Sequence, residues 1–209
     1  MSQAAMQLPT RQQLRTQETQ ARLLDAAEEI FVRDGYEAAQ LDEIAATAGR
    51  SKGAVYTHFK SKEDLFLALF EHRTRSYIES FVVNLDKCTN QKESMKAFRD
   101  FYVALTRDRT WPILTLEFKL FALRHPESKE RLRKAFEMAK PPRSESSDRR
   151  MFGQLTPPQK ADNDLALIAL GPILSGLILE SHFESRAFTE KALRRILGRI
   201  FDALFQTGH

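Results

Sequence analysis

Apolar side chains recur at helical spacing along most of the chain, and no stretch alternates as a strand would. The first 15 residues are polar and patternless, and predict a mobile N-terminal arm over 1–15. From Thr16, the repeat of Leu23, Ala27, Ile30 and Phe31 predicts a helix that Gly35 stops. Leu41, Ile44, Ala45 and Ala48 predict a short second helix closed by Gly49. Ser51 is placed to cap a third helix ending near Phe59. Ser61 and Asp64 fit a serine-to-acid capping box ahead of Leu65, Phe66, Leu69 and Phe70. The fourth helix they open is expected to reach about Val83.

Further along, Met95, Phe98, Phe101, Tyr102 and Leu105 share one face of a helix over 91–108. Another is predicted over 111–124, where Pro112 falls in the first turn and is tolerated there. A charged amphipathic helix follows over 126–140. Proline pairs bracket the polar stretch 141–160, which reads as a long loop. An apolar helix over 161–182 and a clean amphipathic one after Thr189 complete the pattern. The expectation is an all-α fold of about nine helices: an N-terminal three-helix helix-turn-helix domain (16–62) and a larger helical body (63–209).

Composition adds a compartment and little else. The 209 residues hold one cysteine, so no internal disulfide can form. The opening residues lack the apolar run of a signal peptide. The longest apolar stretch, 165–179, is broken by Gly171-Pro172 and is shorter than the ~20 residues that span a bilayer. A cytoplasmic protein with no membrane partner is expected. The net charge of +4 is only mildly basic. Its placement says more, because Arg50, Lys52, Lys60 and Lys62 crowd into 13 residues.

On a wheel of 100° per residue, Val55 and Phe59 fall on one face of the third helix. Gly53, Ala54 and Thr57 point the other way, flanked by Lys52 and Tyr56 on one side and His58 on the other. A face with small residues at its centre and cations or hydroxyls at its rim suits the DNA major groove. Gly53 costs about 1 kcal/mol of helix propensity and would let the backbone approach base edges. Lys62, in the first turn of the fourth helix, would add an ammonium where unpaired N–H groups already favour a phosphate.

The stretch IFVRDGYEAAQLDEIAATAGRSKGAVYTHFKSKEDLF, residues 30–66, resembles the TetR/AcrR family of transcriptional regulators. LEFKLFALRHPE, 116–127, is similar to a segment common in that family. The resemblance implies a homodimer that places its third helices in successive major grooves of a palindromic operator. Carried over by position, Ser51, Lys52, Gly53, Ala54, Tyr56, Thr57, His58 and Lys62 would contact DNA, with Tyr56, His58 and Lys62 on the backbone. Arg50 at the turn departs from the apolar residue frequent there, and would meet a base or a phosphate. Gln40 stands where Thr or Ser often caps the second helix.

Two further expectations concern the larger body. A dimer surface is expected on the last two helices: Leu167, Leu170, Leu174, Leu177, Ile178, Leu193, Ile196, Leu197, Ile200, Phe201 and Leu204. A pocket for a small hydrophobic or aromatic effector is expected among Phe66, Phe70, Phe98, Phe101, Tyr102, Trp111, Phe118 and Phe121. No P-loop, G-x-G-x-x-G or H-E-x-x-H motif occurs, and the five histidines show no zinc spacing. No catalytic residue, metal site or cofactor is therefore expected. The leading function is a repressor released by its effector. The alternative is a DNA-bound adaptor that docks a protein partner through 126–140 and 141–160.

Overall fold

A computed structural model describes residues 10–128, 130, 133, 134 and 145–205. Among these residues there are nine α-helices and no strand. They are α1 (Arg11–Ala38), α2 (Leu41–Thr47), α3 (Lys52–His58), α4 (Lys62–Asp86), α5 (Gln91–Leu105), α6 (Trp111–Arg124), α7 (Glu145–Phe152), α8 (Pro157–Phe183) and α9 (Glu190–Phe205). The chain divides into two compact units, Met1–Leu69 and Phe70–His209, so the division falls inside α4.

In the first unit, α1 begins five residues earlier than the periodicity indicates. Thr10 and Gln13 form a reciprocal capping box that draws Arg11 and Arg15 into the helix. The expected arm is therefore helical from residue 11, and residues 1–9 lie outside the described residues. Gly35 interrupts α1 with φ of 77°, a conformation that favours glycine, before one last turn to Ala38. Gly49, with φ of 65°, turns the chain between α2 and α3. Leu23, Ile30, Phe31, Ile44, Val55, Leu65 and Phe66 are fully or almost fully buried in this unit. Phe66 meets Phe31 edge-on at 4.9 Å and lies 5.0 Å from Tyr36. It therefore serves this small core rather than a pocket in the larger body.

In the second unit, the remaining aromatic residues sort into separate clusters. Phe70 stacks on Phe118 at 4.1 Å and on Trp111 at 5.3 Å. Phe98 and Phe101 instead pack with Phe81, and Tyr102 stands edge-on to both of them. This second cluster is closed by Phe152, Phe201 and Phe205. Phe121 is buried and lies 4.4 Å from His125. The expected pocket residues thus pack against neighbouring rings of the two units.

The stretch expected to be a loop over 141–160 contains α7, whose Met151 and Phe152 enter the core beside Phe98 and Phe205. Pro157 and Pro158, read as loop punctuation, occupy the first turn of α8, where a missing N–H removes no hydrogen bond. Most of the charged helix expected over 126–140 lies outside the described residues; 126–128 form one 3-10 turn. α8 is 27 residues long and passes through Pro172 as a single element. By length and composition it is long and apolar enough to cross a membrane, so the expected exclusion on length does not hold. In this fold it packs against α6 and α9.

Leu170, Leu174, Ile178, Leu193, Leu197 and Phe201 were expected at a dimer surface, but they are buried in the core of a single protomer. Leu167, Leu177 and Leu204 pack half-buried against the same core. Ile196 and Ile200 are half-buried. The open face of α8 is a different one. Leu165, Ile168 and Phe183 are 67%, 62% and 81% exposed, and Ala161, Pro172 and Gly176 lie on the same helical row. A Cβ added at Gly171 or Gly176 would meet nothing within 4 Å.

Candidate nucleic-acid interface

The segment of interest is α2, a tight turn and α3. α2 has no side-chain cap, because the Gln40 amide turns back to the Ala38 carbonyl at 3.2 Å. After Gly49, the Arg50 N–H donates to the Ala45 carbonyl at 2.8 Å and closes the turn. The Arg50 guanidinium donates to the Gly49 carbonyl at 3.2 Å. Ser51 Oγ accepts from the Ala54 N–H at 3.3 Å, which fixes the start of α3.

Val55 and Phe59 anchor α3, at 0% and 3% exposure. The opposite face is open. Tyr56 is 51% exposed, and Lys52, Gly53 and Thr57 are also exposed. A Cβ at Gly53 would meet only Ser51 Oγ, at 3.8 Å. Nothing in the fold therefore requires glycine there. Ala54 and His58 are half-buried at the edges of this face. Thr57 Oγ1 donates to the Gly53 carbonyl at 2.9 Å, which uses its proton and leaves the oxygen able to accept.

Two acidic residues at the start of α2 tie it to its neighbours. Glu43 accepts from Arg33 of α1 at 2.5 Å, and Asp42 accepts from Lys52 of α3 at 2.9 Å. The hydrogen bond from Lys52 to Asp42 also holds the lysine pKa above its ordinary value. Missing from the sequence expectation was this acidic partner. An acid ten residues before a lysine carries no local helical signal, because the pair spans a turn.

Lys62 is placed differently from its expected role. Its ammonium donates to the carbonyls of Tyr36, Glu37 and Ala39 at 2.8, 3.0 and 3.2 Å. It also lies 4.7 Å from the centre of the Tyr36 ring. Three carbonyls use all three ammonium protons, so Lys62 closes the α1–α2 corner instead of facing a phosphate. Tyr36 itself is pushed up to about 12, first by burial and then by the charges of Glu63 and Glu37.

A profile of the bacterial regulatory proteins of the tetR family matches residues 23–69, from within α1 to the first turns of α4. The N-terminal domain belongs to the TetR/AcrR family. Curated relatives match over part of the chain. One is the HTH-type transcriptional activator FasR of Mycolicibacterium smegmatis, 39% identical over 80 residues, 38% of this chain and 36% of that protein. Another is the fatty acid metabolism regulator protein of Bacillus subtilis, 33% identical over 73 residues, 35% of this chain and 38% of that one. The chain thus spans well under half the length of these relatives. Among solved structures, the transcriptional regulator FadR from Bacillus subtilis, in complex with stearoyl-CoA, overlays with a TM-score of 0.64 at 19% identity. That overlay covers 90% of this chain and 99% of the other, so the TetR-like fold continues beyond the N-terminal domain. These relatives and neighbours are regulators, not enzymes.

Proposed function

We propose that this chain is a DNA-binding transcriptional regulator that grips a palindromic operator as a homodimer and is released by a small hydrophobic effector. The observation that carries the DNA reading is the open outer face of α3. Glycine sits at its centre with no structural demand for it, while Val55 and Phe59 hold the opposite side in the core. Arg50, Ser51, Lys52, Gly53, Ala54, Tyr56, Thr57 and His58 are the proposed contacts, with cations and hydroxyls on phosphates and the small residues over base edges. Lys62 supports the domain that presents them.

The homodimer reading is supported by the exposed row on α8, Leu165, Ile168 and Phe183. A two-fold axis against this row would bury the same residues from each protomer. The effector reading is supported by the relative named for fatty acid metabolism and by the neighbour solved with stearoyl-CoA. A long acyl chain is the effector class proposed.

Binding-site selection from a random duplex pool should return an inverted repeat with half-sites one helical turn apart. Recovery of sequences with no shared motif would sink the reading. Trp111, the sole tryptophan, stacks in the Phe70–Phe118 cluster and reports on the effector. Long-chain acyl compounds should change its fluorescence and lower operator affinity together.

A further inference from the structure

The acid at position 42 stands on the same rim as the cation it holds. Lys52 Nζ and Asp42 Oδ2 are 2.9 Å apart, and the two side chains are 54% and 65% exposed. An exposed pair of this kind adds little to stability, typically under about 1 kcal/mol. Glu43, the next residue, already ties α2 to α1 through Arg33. The bundle is held by its buried side chains, Ile44 and Val55 among them, so the Asp42–Lys52 pair is not needed to hold it together. Its effect falls on the surface that would face DNA. Lysine is a flexible point charge that meets any phosphate it can reach. Paired with Asp42, it is confined to the α2–α3 corner, and the carboxylate cancels its charge toward a passing duplex.

We infer that Asp42 is a specificity-determining positioning residue, which restrains Lys52 from indiscriminate phosphate contact and so widens the gap between operator and non-specific binding. The inference rests on the DNA-binding reading above. On a scrambled duplex, Lys52 stays with Asp42 and neutralises no phosphate. On the operator, closer docking of α3 offers acceptors that compete with the carboxylate, and Lys52 engages them.

The test uses the full chain and two duplexes, one selected from a random pool by the wild type and a scrambled version of it. Affinities are measured from 50 to 200 mM salt for wild type, Asp42→Asn, Asp42→Glu, Lys52→Met and the double variant, with melting curves as a check on folding. Each phosphate neutralised steepens the plot of log affinity against log salt by about 0.9. Asp42→Asn should steepen the scrambled-duplex slope by about that much per bound protomer and tighten that binding at low salt. Between 50 and 200 mM this is an extra loss of about threefold per protomer. Operator affinity should change less, so the ratio between the two falls. Asp42→Glu should restore the ratio, and in the Lys52→Met background Asp42→Asn should leave the slope alone. An unchanged scrambled-duplex slope overturns the inference. So does the same steepening without Lys52, since Asp42 would then act only by its own charge. If the wild type prefers no sequence at all, the DNA-binding reading fails first; a selective wild type with an indifferent Asp42→Asn variant sinks only the role of Asp42.

Discussion

At Gly53, local stability and surface shape pull in opposite directions. Alanine is the better helix former by up to about 1 kcal/mol, and its methyl would meet only Ser51 Oγ at an ordinary 3.8 Å. Gly53→Ala is therefore expected to raise the melting temperature slightly while weakening operator binding tenfold or more. Melting curves and DNA titrations on the same preparation check both halves. Lys62 is the opposite case. Its three carbonyl partners bind the end of α1 to the start of α4. Lys62→Met should lower stability by about 1.5–3 kcal/mol, the usual range for hydrogen bonds to a charged group. It should leave the salt slope of DNA binding nearly unchanged in protein that remains folded. Urea unfolding separates this from a phosphate contact, whose loss would flatten the slope and spare stability.

Within the second unit, one carboxylate joins the end of α5 and the start of α6 to α4. Asp108 accepts from Arg73 and from the Tyr77 hydroxyl of α4. It also caps α6, accepting from the N–H groups of Thr110 and Trp111 at 2.8 and 3.0 Å. Burial alone would raise its pKa, but the hydrogen bonds from Tyr77, Trp111 and Thr110 outweigh that and hold it below the usual carboxylate value. A lowered folded pKa means its stabilising contribution is complete above the unfolded value of about 3.9 and fades as pH falls through the folded one. Asp108→Asn should thus cost stability at pH 7, and the gap from wild type should narrow on acidification toward pH 2, as read by melting curves across that range. For α8, a charge on its open row should oppose self-association and leave the core alone. Ile168→Glu is expected to yield folded monomers in sedimentation velocity, where the wild type is expected to sediment as a dimer. An Ile168→Glu protein that remains dimeric would remove that face from the interface.

Across the whole molecule, what the sequence made legible was decided by range. The three helices of the DNA-binding domain could be read because their stops are local: positive-φ glycines at 35 and 49 and side-chain caps at Ser51 and Ser61. The outward aim of Gly53 and Thr57 followed from helical periodicity alone. Lys62 misled because its partners lie 23–26 residues earlier in the chain. On α8, apolar residues surround most of the helix, so periodicity could not tell the side facing the protomer core from the side left open. The polar stretch before α8 misled for a related reason: its eight-residue helix is held by two residues at its end, Met151 and Phe152, rather than by a repeating stripe. That helix has a practical corollary. Arg149 and Arg150 sit in a serine-rich segment that looks like ready bait for trypsin, yet both are helical, and Arg150 donates to the Leu85 carbonyl at 3.2 Å. A protease needs an extended, detached substrate, so the peptide bonds after these two arginines should be cut slowly in the native protein. Phe152→Ala, which loosens the anchor, should make them early cleavage sites in a timed digest.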